Sequence, residues 1–124
     1  GILGLGESTT QRLELAFELR DLGPSWVPIN FINPRPGTPF EKLATVPAME
    51  AVKTIAIFRL ILPDKILMTA GGREVTLRDM QSMGLLAGAN AMILGNYLTT
   101  SGRSPEEDLR MLDDLEMPVR RDVY

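Results

Sequence analysis

Four short apolar segments alternate with four segments that carry helix signals, and this alternation restricts the possible folds more than any other feature of the sequence. Two neighbouring strands that are joined through a helix pair in parallel. Parallel neighbours need a long crossover, which the helix provides, whereas antiparallel neighbours need only a short turn. The pattern therefore predicts an α/β protein with a parallel sheet. The four strand segments are residues 1–7, 26–32, 66–70 and 91–95.

Capping residues and apolar residues at helical spacing mark the helices between these strands. Pro28 is awkward inside the second strand because it cannot donate to a ladder, and it indicates a strand start or a bulge. The inward face of the second helix is expected to carry Met49, Val52, Ile55, Ala56 and Leu60. The boundary signals are Ser8 with Gln11 and then Gly23, Pro47 and then Leu62, Thr76 with Asp79 and then Gly88, and Ser104 with Pro105 and Glu107.

Two architectures fit four strand–helix units: an open doubly wound sheet, or half of a TIM-type (βα)8 barrel. Periodicity does not decide between them. The glycines favour the barrel, because Gly4 and Gly6 are followed by Glu7, without the third glycine of a dinucleotide-binding loop and with an acid where phosphate would lie. We expect a (βα)4 half barrel with helices outside, formed by a single domain over residues 1–124. Because the chain opens as a strand without an initiator Met, we expect it to be a fragment.

Composition and charge exclude several functions. The 124 residues carry a net charge of −3 and no Lys/Arg run, which argues against nucleic acid. Lys53, Arg59 and Lys65 interrupt the apolar stretches before they reach the roughly 20 residues of a membrane span. We therefore expect a cytoplasmic protein. There is no cysteine and no histidine, so thiolate catalysis and the usual zinc or iron ligands are excluded within these residues.

Arg73 is the leading candidate site residue. It follows the apolar strand 66–70 and two glycines, Gly71 and Gly72, and precedes Glu74. A strand this apolar is buried on both faces, and charges just past its carboxyl end lie at the edge where parallel-sheet proteins build their sites. The alternative is an Arg–Glu ion pair or a solvated loop.

Six ordered sequence blocks resemble the carboxyl-terminal half of the biotin synthases, a family of radical S-adenosylmethionine enzymes. The resemblance covers nearly the whole chain. The blocks are Gly-Ile-Leu-Gly-Leu-Gly-Glu at 1–7, Val-Pro-Ile-Asn-Phe at 27–31, Arg-Pro-Gly-Thr-Pro at 35–39, Ala-Gly-Gly-Arg-Glu at 70–74, Leu-Ala-Gly-Ala-Asn at 86–90 and Tyr-Leu-Thr-Thr at 97–100.

The resemblance implies a specific chemistry. In such enzymes a four-iron four-sulfur cluster held by three cysteines cleaves S-adenosylmethionine to a 5'-deoxyadenosyl radical, which abstracts hydrogens from dethiobiotin. A two-iron two-sulfur cluster held by three cysteines and an arginine then supplies sulfur, and the full-length enzymes are homodimers. The cysteines are expected upstream of Gly1. This fragment alone is therefore expected to be inactive.

The resemblance also assigns roles to residues of this chain. Arg73 matches the cluster-ligating arginine, and Ile2 matches an apolar side chain that packs against adenine. Asn30 matches an asparagine that binds the ureido ring of dethiobiotin, and Thr99 and Thr100 match the loop that receives the substrate carboxylate. Without the resemblance, Ile2 is a core isoleucine, Asn30 a strand amide satisfied by backbone, and the threonines an ordinary turn.

Two residues receive a weaker interpretation. Glu7 is a candidate support for the cofactor end of the site, but the favoured interpretation is a first-turn acid stabilised by the helix dipole. Ala91 stands where many relatives of the family place a serine, so Arg73 is expected to be held differently if that serine orients the arginine.

Two other functions are open. A radical S-adenosylmethionine enzyme of the thiazole-forming or hydrogenase-maturation type would keep the mechanism and change the substrate. A non-catalytic half barrel would only fold or associate. A cysteine loop upstream of Gly1 would exclude the second alternative, and an assay with dethiobiotin would test the first.

Overall fold

A computed structural model describes residues 1–120 of the chain. The chain divides into two compact units, of which the first is Gly1–Ile93 and the second begins at Leu94. Each unit is described by itself below. The expectation of a single domain over residues 1–124 stays a prediction, and its last four residues lie outside the described part of the chain.

The first unit contains a four-stranded parallel sheet. Its strands are β1 (Ile2–Leu3), β2 (Trp26–Phe31), β3 (Ile66–Thr69) and β4 (Ala91–Met92), and they are arranged in the order β1-β2-β3-β4. All three pairings are parallel. This confirms the predicted α/β fold. The sequential order without a reversal is that of half a TIM-type barrel, because doubly wound sheets reverse their strand order at a switch point.

The two faces of the sheet differ in burial. Leu3 and Phe31 are register partners on one face, and they are only 2% and 3% exposed. Ile2 pairs with Asn30 on the opposite face, where Ile2 is 51% exposed and Trp26 is 37% exposed. One face therefore forms the core, and the other leaves apolar side chains open to solvent in this unit.

The first helix, α1 (Thr9–Leu22), has the predicted boundaries. The Ser8 hydroxyl accepts the Gln11 N–H at 3.2 Å, and the Gln11 side chain accepts the Ser8 N–H at 2.8 Å. These reciprocal bonds satisfy two of the N–H groups that a helix start leaves unpaired. Gly23 ends the helix with a left-handed φ of 73°, which glycine adopts without steric cost.

The second helix, α2 (Ala48–Ile61), is where predicted but presents a different face to the core. Ala51, Ile55 and Phe58 are buried, whereas Met49 is 43% exposed and Leu60 is 81% exposed. The expectation that Met49 and Leu60 point inward is therefore wrong. The apolar residues extend around most of this helix, so their spacing does not define the buried stripe.

The third crossover was expected to be one helix capped by Thr76 and Asp79, and this is wrong. It consists of α3 (Arg73–Thr76), a 3₁₀ turn (Arg78–Met80) and α4 (Gln81–Ala87). Thr76 lies inside α3 and does not cap α4. The break falls at Arg78, whose φ of 51° lies in the left-handed region. Gly88 ends α4 as predicted.

The helices of the first unit lie side by side. Helix α2 contacts both α1 and α4, and it also contacts β3. Right-handed crossovers between strands in sequential order place their helices on one face of the sheet, as in a barrel, whereas a doubly wound sheet gains helices on its second face where the strand order reverses. The neighbouring helices thus agree with the barrel arrangement.

Pro28 lies in the interior of β2, and its ladder partner across the pair is Met68. The register runs without interruption on both sides of the proline, so the expectation of a strand start or a bulge is wrong. The even residues of β2 bond toward β1: the Asn30 N–H donates to the Gly1 carbonyl at 2.9 Å. The missing N–H of Pro28 therefore faces the β1 side, ahead of the first residue pair of that strand.

The second unit contains α5 (Pro105–Asp114). The Ser104 hydroxyl accepts the Glu107 N–H at 3.2 Å, and Pro105 occupies the first helical position, as predicted. Within residues 1–120, no helix is long and apolar enough to cross a lipid bilayer.

Candidate functional site

A glycine turn at the carboxyl end of β3 directs the chain into the candidate site. Gly72 has a φ of 80°, and a Cβ atom on it would lie 2.1 Å from the carbonyl oxygen of Phe31. The Phe31 N–H donates to the Gly71 carbonyl at 2.8 Å. The turn is therefore packed against the end of β2, and only glycine fits at position 72.

Arg73 follows this turn as the first residue of α3. Its side chain is completely buried, with 0% of its surface exposed. One terminal nitrogen, Nη1, donates to Oε1 of Gln81 at 2.9 Å, and the other, Nη2, donates to the carbonyl of Ile93 at 3.1 Å. A buried guanidinium must be fixed by acceptors, since its charge is costly to remove from water. This burial contradicts the alternative of a solvated loop.

Gln81 was not identified from the sequence, yet it holds Arg73 from two sides. Besides accepting from the guanidinium, its Nε2 donates to the backbone carbonyl of Arg73 at 2.8 Å. Gln81 is 4% exposed. Glutamine is exposed in most proteins, so nothing in the sequence marked this one as buried. Gln81 lies eight residues after Arg73. This spacing brings the two side chains together only because the chain turns at Arg78, and the sequence did not indicate that turn.

Asn30 lies at the carboxyl end of β2 and joins the ends of its two neighbours. Its Oδ1 accepts the Gly71 N–H at 2.9 Å, and its Nδ2 donates to the Gly1 carbonyl at 3.2 Å. The side chain is half-buried on the open face of the sheet. An amide can accept two hydrogen bonds and donate two, so these contacts use half of its capacity.

Ile2 lies beside Asn30, as its register partner on β1. Its side chain is 51% exposed on the open face of the sheet, and the interpretation as a barrel-core isoleucine stays a prediction. The structure thus brings Ile2, Asn30 and the turn that precedes Arg73 to the carboxyl ends of three adjacent strands.

A charged cluster closes the loop that follows β1. The Glu7 carboxylate accepts the N–H groups of Gly4 and Leu5, each at 2.8 Å, and it also accepts Nε–H of Arg12 at 2.8 Å. Arg12 is 7% exposed, and its Nη1 donates to Glu50 of α2 at 2.5 Å. Glu7 therefore does more than favour the helix dipole, because it fixes the backbone next to Ile2.

Opposing effects act on the pKa of Glu7. Burial raises it, while the backbone hydrogen bonds and the hydrogen bond and charge of Arg12 lower it; together they hold the pKa of Glu7 below its usual value. The carboxylate is thus stabilised in its charged form. In the same way, burial lowers the pKa of Arg12, and the bonds to Glu50 and Glu7 raise it above its usual value.

Thr99 and Thr100 belong to the second unit. Thr99 is exposed and Thr100 is half-buried. The Tyr97 N–H donates to the Thr100 carbonyl at 2.9 Å, and the Gly102 N–H donates to Oδ1 of Asn96 at 3.2 Å. These bonds define a tight turn whose threonine hydroxyls precede the start of α5. A hydroxyl-bearing loop ahead of a helix is a frequent anion site.

Two polar atoms near Arg73 are buried without a hydrogen-bond partner among residues 1–120. They are Oε1 of Glu74 and Oγ1 of Thr76. Ala91, at the position noted for its missing serine, pairs with Met68 in the sheet and lies two residues before the Ile93 carbonyl that binds Arg73. The partners of Arg73 include the Gln81 amide and the Ile93 carbonyl.

In the part of the chain that the structure describes, no group of three or more His, Cys, Asp or Glu side chains could hold a metal ion. Within the first unit, the candidate site offers one buried guanidinium, one amide at a strand end and an apolar side chain. Of these groups, the half-buried Asn30 amide and the half-exposed Ile2 side chain are accessible to a ligand.

A domain-family model and full-length relatives both match most of this chain. Residues 28–118 match the model of the Biotin and Thiamin Synthesis associated domain. The chain is 60% identical over 121 residues to a biotin synthase of Mycobacterium leprae (strain Br4923), which covers 97% of the chain and 35% of that protein. It is 58% identical over 119 residues to a biotin synthase of Parafrankia sp. (strain EAN1pec), covering 96% of the chain and 33% of that protein. The chain thus spans about a third of the length of these relatives.

Proposed function

Since the chain belongs to the Biotin and Thiamin Synthesis associated domain family, we propose that it is the carboxyl-terminal part of a biotin synthase. The full-length enzyme would insert sulfur into dethiobiotin to form biotin. The observation that carries this proposal is the 60% identity over 97% of the chain to a protein named biotin synthase. At that level of identity the strand ends and their side chains are expected to keep their roles.

The segment would bind dethiobiotin at two places. Asn30 uses one acceptor site and one donor site for Gly71 and Gly1, so an acceptor site and an N–H remain for the ureido ring, which presents the complementary pair. Thr99 and Thr100 would receive the carboxylate through hydroxyl and backbone donors. Ile2, half exposed beside Asn30, would offer an apolar surface to the adenine of S-adenosylmethionine.

The donor set of this chain fits iron–sulfur clusters only in part. The chain has no cysteine, and clusters are normally held by four thiolates. The cysteine ligands of the four-iron and two-iron clusters would therefore come from the rest of the enzyme. When bound, the clusters and S-adenosylmethionine supply the radical and the sulfur atom.

Arg73 would complete the ligand set of the two-iron cluster. A protonated guanidinium has no lone pair, so ligation requires that Arg73 lose one N–H proton. Among the described residues, Gln81 accepts from Nη1 and the Ile93 carbonyl accepts from Nη2, and these bonds fix the plane of the guanidinium. This fixed orientation supports the proposed role of Arg73.

The proposal extends to the context of the full-length enzyme. It would act as a cytoplasmic homodimer, as the resemblance implies, and the segment by itself would be inactive because the thiolate ligands lie outside it. A radical enzyme with another substrate would keep Arg73 but would not convert dethiobiotin.

The test is an anaerobic assay of the full-length enzyme that carries this segment, reconstituted with iron, sulfide and S-adenosylmethionine. We expect biotin from dethiobiotin in the unaltered enzyme and at least about 100-fold less in Arg73→Met, since the loss of one essential interaction at a reacting centre has this effect. Cleavage of S-adenosylmethionine without biotin formation in the unaltered enzyme would reject the proposed substrate.

A further inference from the structure

We propose that Arg12 is a positioning residue, which holds the loop after β1 in the shape that an adenosyl group meets beside Ile2. This inference rests on the proposed function, because it assumes that the half-exposed Ile2 side chain receives the adenine. It goes beyond that function by assigning the shape of this part of the site to an arginine of α1 that acts through Glu7.

The loop after β1 is held by packing at one residue and by a hydrogen bond at the next. Gly4 has a φ of 99°, and a Cβ atom on it would lie 2.5 Å from Cγ2 of Ile32. A Cβ atom on Gly6 would meet nothing within 4 Å, and Leu5 is 44% exposed. The outer part of the loop therefore relies on the hydrogen bond from the Leu5 N–H to Oε2 of Glu7, at 2.8 Å.

Glu7 is itself held by Arg12. One carboxylate oxygen, Oε1, accepts both the Gly4 N–H and the Nε–H of Arg12, each at 2.8 Å. Glutamate is a flexible side chain whose ordering costs conformational entropy, so a second anchor keeps its carboxylate at the two loop N–H groups. The bond to Arg12 thus fixes the side chain that fixes the loop.

The placement of Arg12 is unfavourable without its partners. The residue is 7% exposed and lies in the first turn of α1, where the helix dipole disfavours a cation. A buried charge is also costly unless it is paired. Two carboxylates offset these costs, Glu7 at Nε and Glu50 of α2 at Nη1. Burial lowers the pKa of Arg12, but the bonds to Glu50 and Glu7 raise it above its usual value, so the guanidinium keeps its charge.

The two ion pairs of Arg12 differ in burial. The side chain of Glu7 is 19% exposed, whereas that of Glu50 is 47% exposed. The more buried pair is the one that reaches the loop, and a buried pair is less screened by solvent. Removal of Arg12 would leave the Glu7 carboxylate largely buried without its cation, so the loop would have to move to let water reach it.

The experiment measures the binding of 5'-deoxyadenosine to the full-length enzyme by equilibrium dialysis, together with the midpoint of thermal unfolding. This probe carries the adenosyl group, and its binding needs no turnover. The variants are Arg12→Met and Arg12→Lys, with Arg59→Met as the matched control. Arg59 also bonds through Nε and Nη1, but at the other end of α2, to the carbonyls of Gly88 and Leu62.

We expect Arg12→Met to bind 5'-deoxyadenosine on the order of 10-fold more weakly, since hydrogen bonds to charged groups contribute free energy of this size. Arg12→Lys keeps the cation but loses the fork that reaches both carboxylates, so its affinity should lie between those of Arg12→Met and the unaltered enzyme. Arg59→Met should lower the thermal midpoint and keep the unaltered affinity.

Unaltered affinity in Arg12→Met, or an equal loss of affinity in Arg59→Met, would overturn the inference. If Arg12→Met does not fold, Arg12→Lys decides, and an unaltered affinity in that variant would overturn the inference in the same way.

Ile2→Ser separates this inference from the proposed function. Weaker binding in Ile2→Ser with unaltered binding in Arg12→Met rejects only the role of Arg12. Unaltered binding in Ile2→Ser, or no binding of 5'-deoxyadenosine to the unaltered enzyme, rejects the proposed adenine surface itself.

Discussion

The side-chain oxygen of Asn30 accepts the backbone N–H of Gly71 at 2.9 Å, so a candidate substrate-binding amide also fixes the turn that leads into Arg73. The same amide donates to the Gly1 carbonyl on the other side. The proposed substrate-binding residue at the end of β2 is thus hydrogen-bonded to the turn that places the buried arginine. Loss of Asn30 is expected to affect both.

Replacement of Asn30 by alanine should lower the free energy of unfolding by about 1–2 kcal/mol, because the Gly71 N–H loses its acceptor. It should also raise KM for dethiobiotin in the full-length enzyme. Asn90→Ala is the matched control, since Oδ1 of Asn90 accepts the Leu67 N–H at 2.9 Å at the opposite end of β3. Asn90→Ala should cost similar stability and leave KM unchanged; an equal rise in KM would make Asn30 merely structural.

Replacement of Gly72 by alanine should be far more damaging than replacement of Gly37. Both glycines have a φ of 80°, but a Cβ at position 72 meets the Phe31 carbonyl oxygen at 2.1 Å, and one at position 37 meets nothing within 4 Å. We expect Gly37→Ala to cost about 1–2 kcal/mol from backbone strain alone. Gly72→Ala should cost at least ~3 kcal/mol, because the turn must also move. Equal denaturant midpoints for the two variants would contradict this packing.

Replacement of Glu7 by glutamine should destabilise the protein by about 2 kcal/mol at neutral pH, because charge-assisted bonds to Gly4, Leu5 and Arg12 are lost or weakened. The folded-state pKa of Glu7 is lowered, so its contribution is complete above the unfolded value of about 4.3 and is lost as pH falls through the folded value. Unfolding measured against pH should show the difference from wild type constant near neutrality and vanishing in acid.

The control for that experiment is Glu14→Gln, on the exposed surface of α1. It should change stability by less than about 0.5 kcal/mol across the same pH range. A Glu7→Gln difference that persisted undiminished in strong acid would mean that the carboxylate charge is not what stabilises the loop.

Replacement of Arg59 by methionine should cost about 2–3 kcal/mol, because its buried bonds are made to backbone carbonyls that would lose their donor. Its Nε donates to Gly88 at 2.9 Å, and its Nη1 donates to Leu62 and Lys65, each at 2.9 Å. Arg20→Met is the comparison, since the Arg20 side chain is 52% exposed. If chemical denaturation finds the two variants equally stable, Arg59 does not join the ends of α2 and α4.

The fold was predictable from the sequence where the signals are local. The Ser8 and Gln11 capping box depends on four consecutive residues, and both of its bonds are present. Thr76 and Asp79 form the same pattern, but Thr76 lies inside α3 because the helix already starts after Gly72. A capping pattern shows only that a helix can start there, and in this chain the helix starts earlier, at the Gly72 turn.

The buried face of α2 was predictable only in part, because the helix sequence does not show which side packs on the sheet. Its apolar residues surround most of the helix, so period alone allowed Met49 and Leu60 to be placed inside. Both are exposed. The position of the sheet, not the helix sequence, decides which apolar side chains it buries.

The position of Arg73 was predictable from local signals, whereas its partners were not. Two glycines before Arg73 at the end of an apolar strand indicated a strand-end site, and the structure buries that arginine completely. Gln81 gave no signal, because its role depends on a turn at Arg78 that brings two residues eight positions apart into contact. The cluster of Glu7, Arg12 and Glu50 likewise joins three separate positions through tertiary contacts.

The most direct test of the central claim is pulsed EPR on the reduced two-iron cluster of the full-length enzyme, produced with arginine labelled with ¹⁵N in its guanidinium. If Arg73 ligates the cluster, a ¹⁵N hyperfine coupling should be present in the unaltered enzyme and absent in Arg73→Met. A well-formed cluster without any arginine coupling in the unaltered enzyme would show that Arg73 is a buried structural cation and not a ligand.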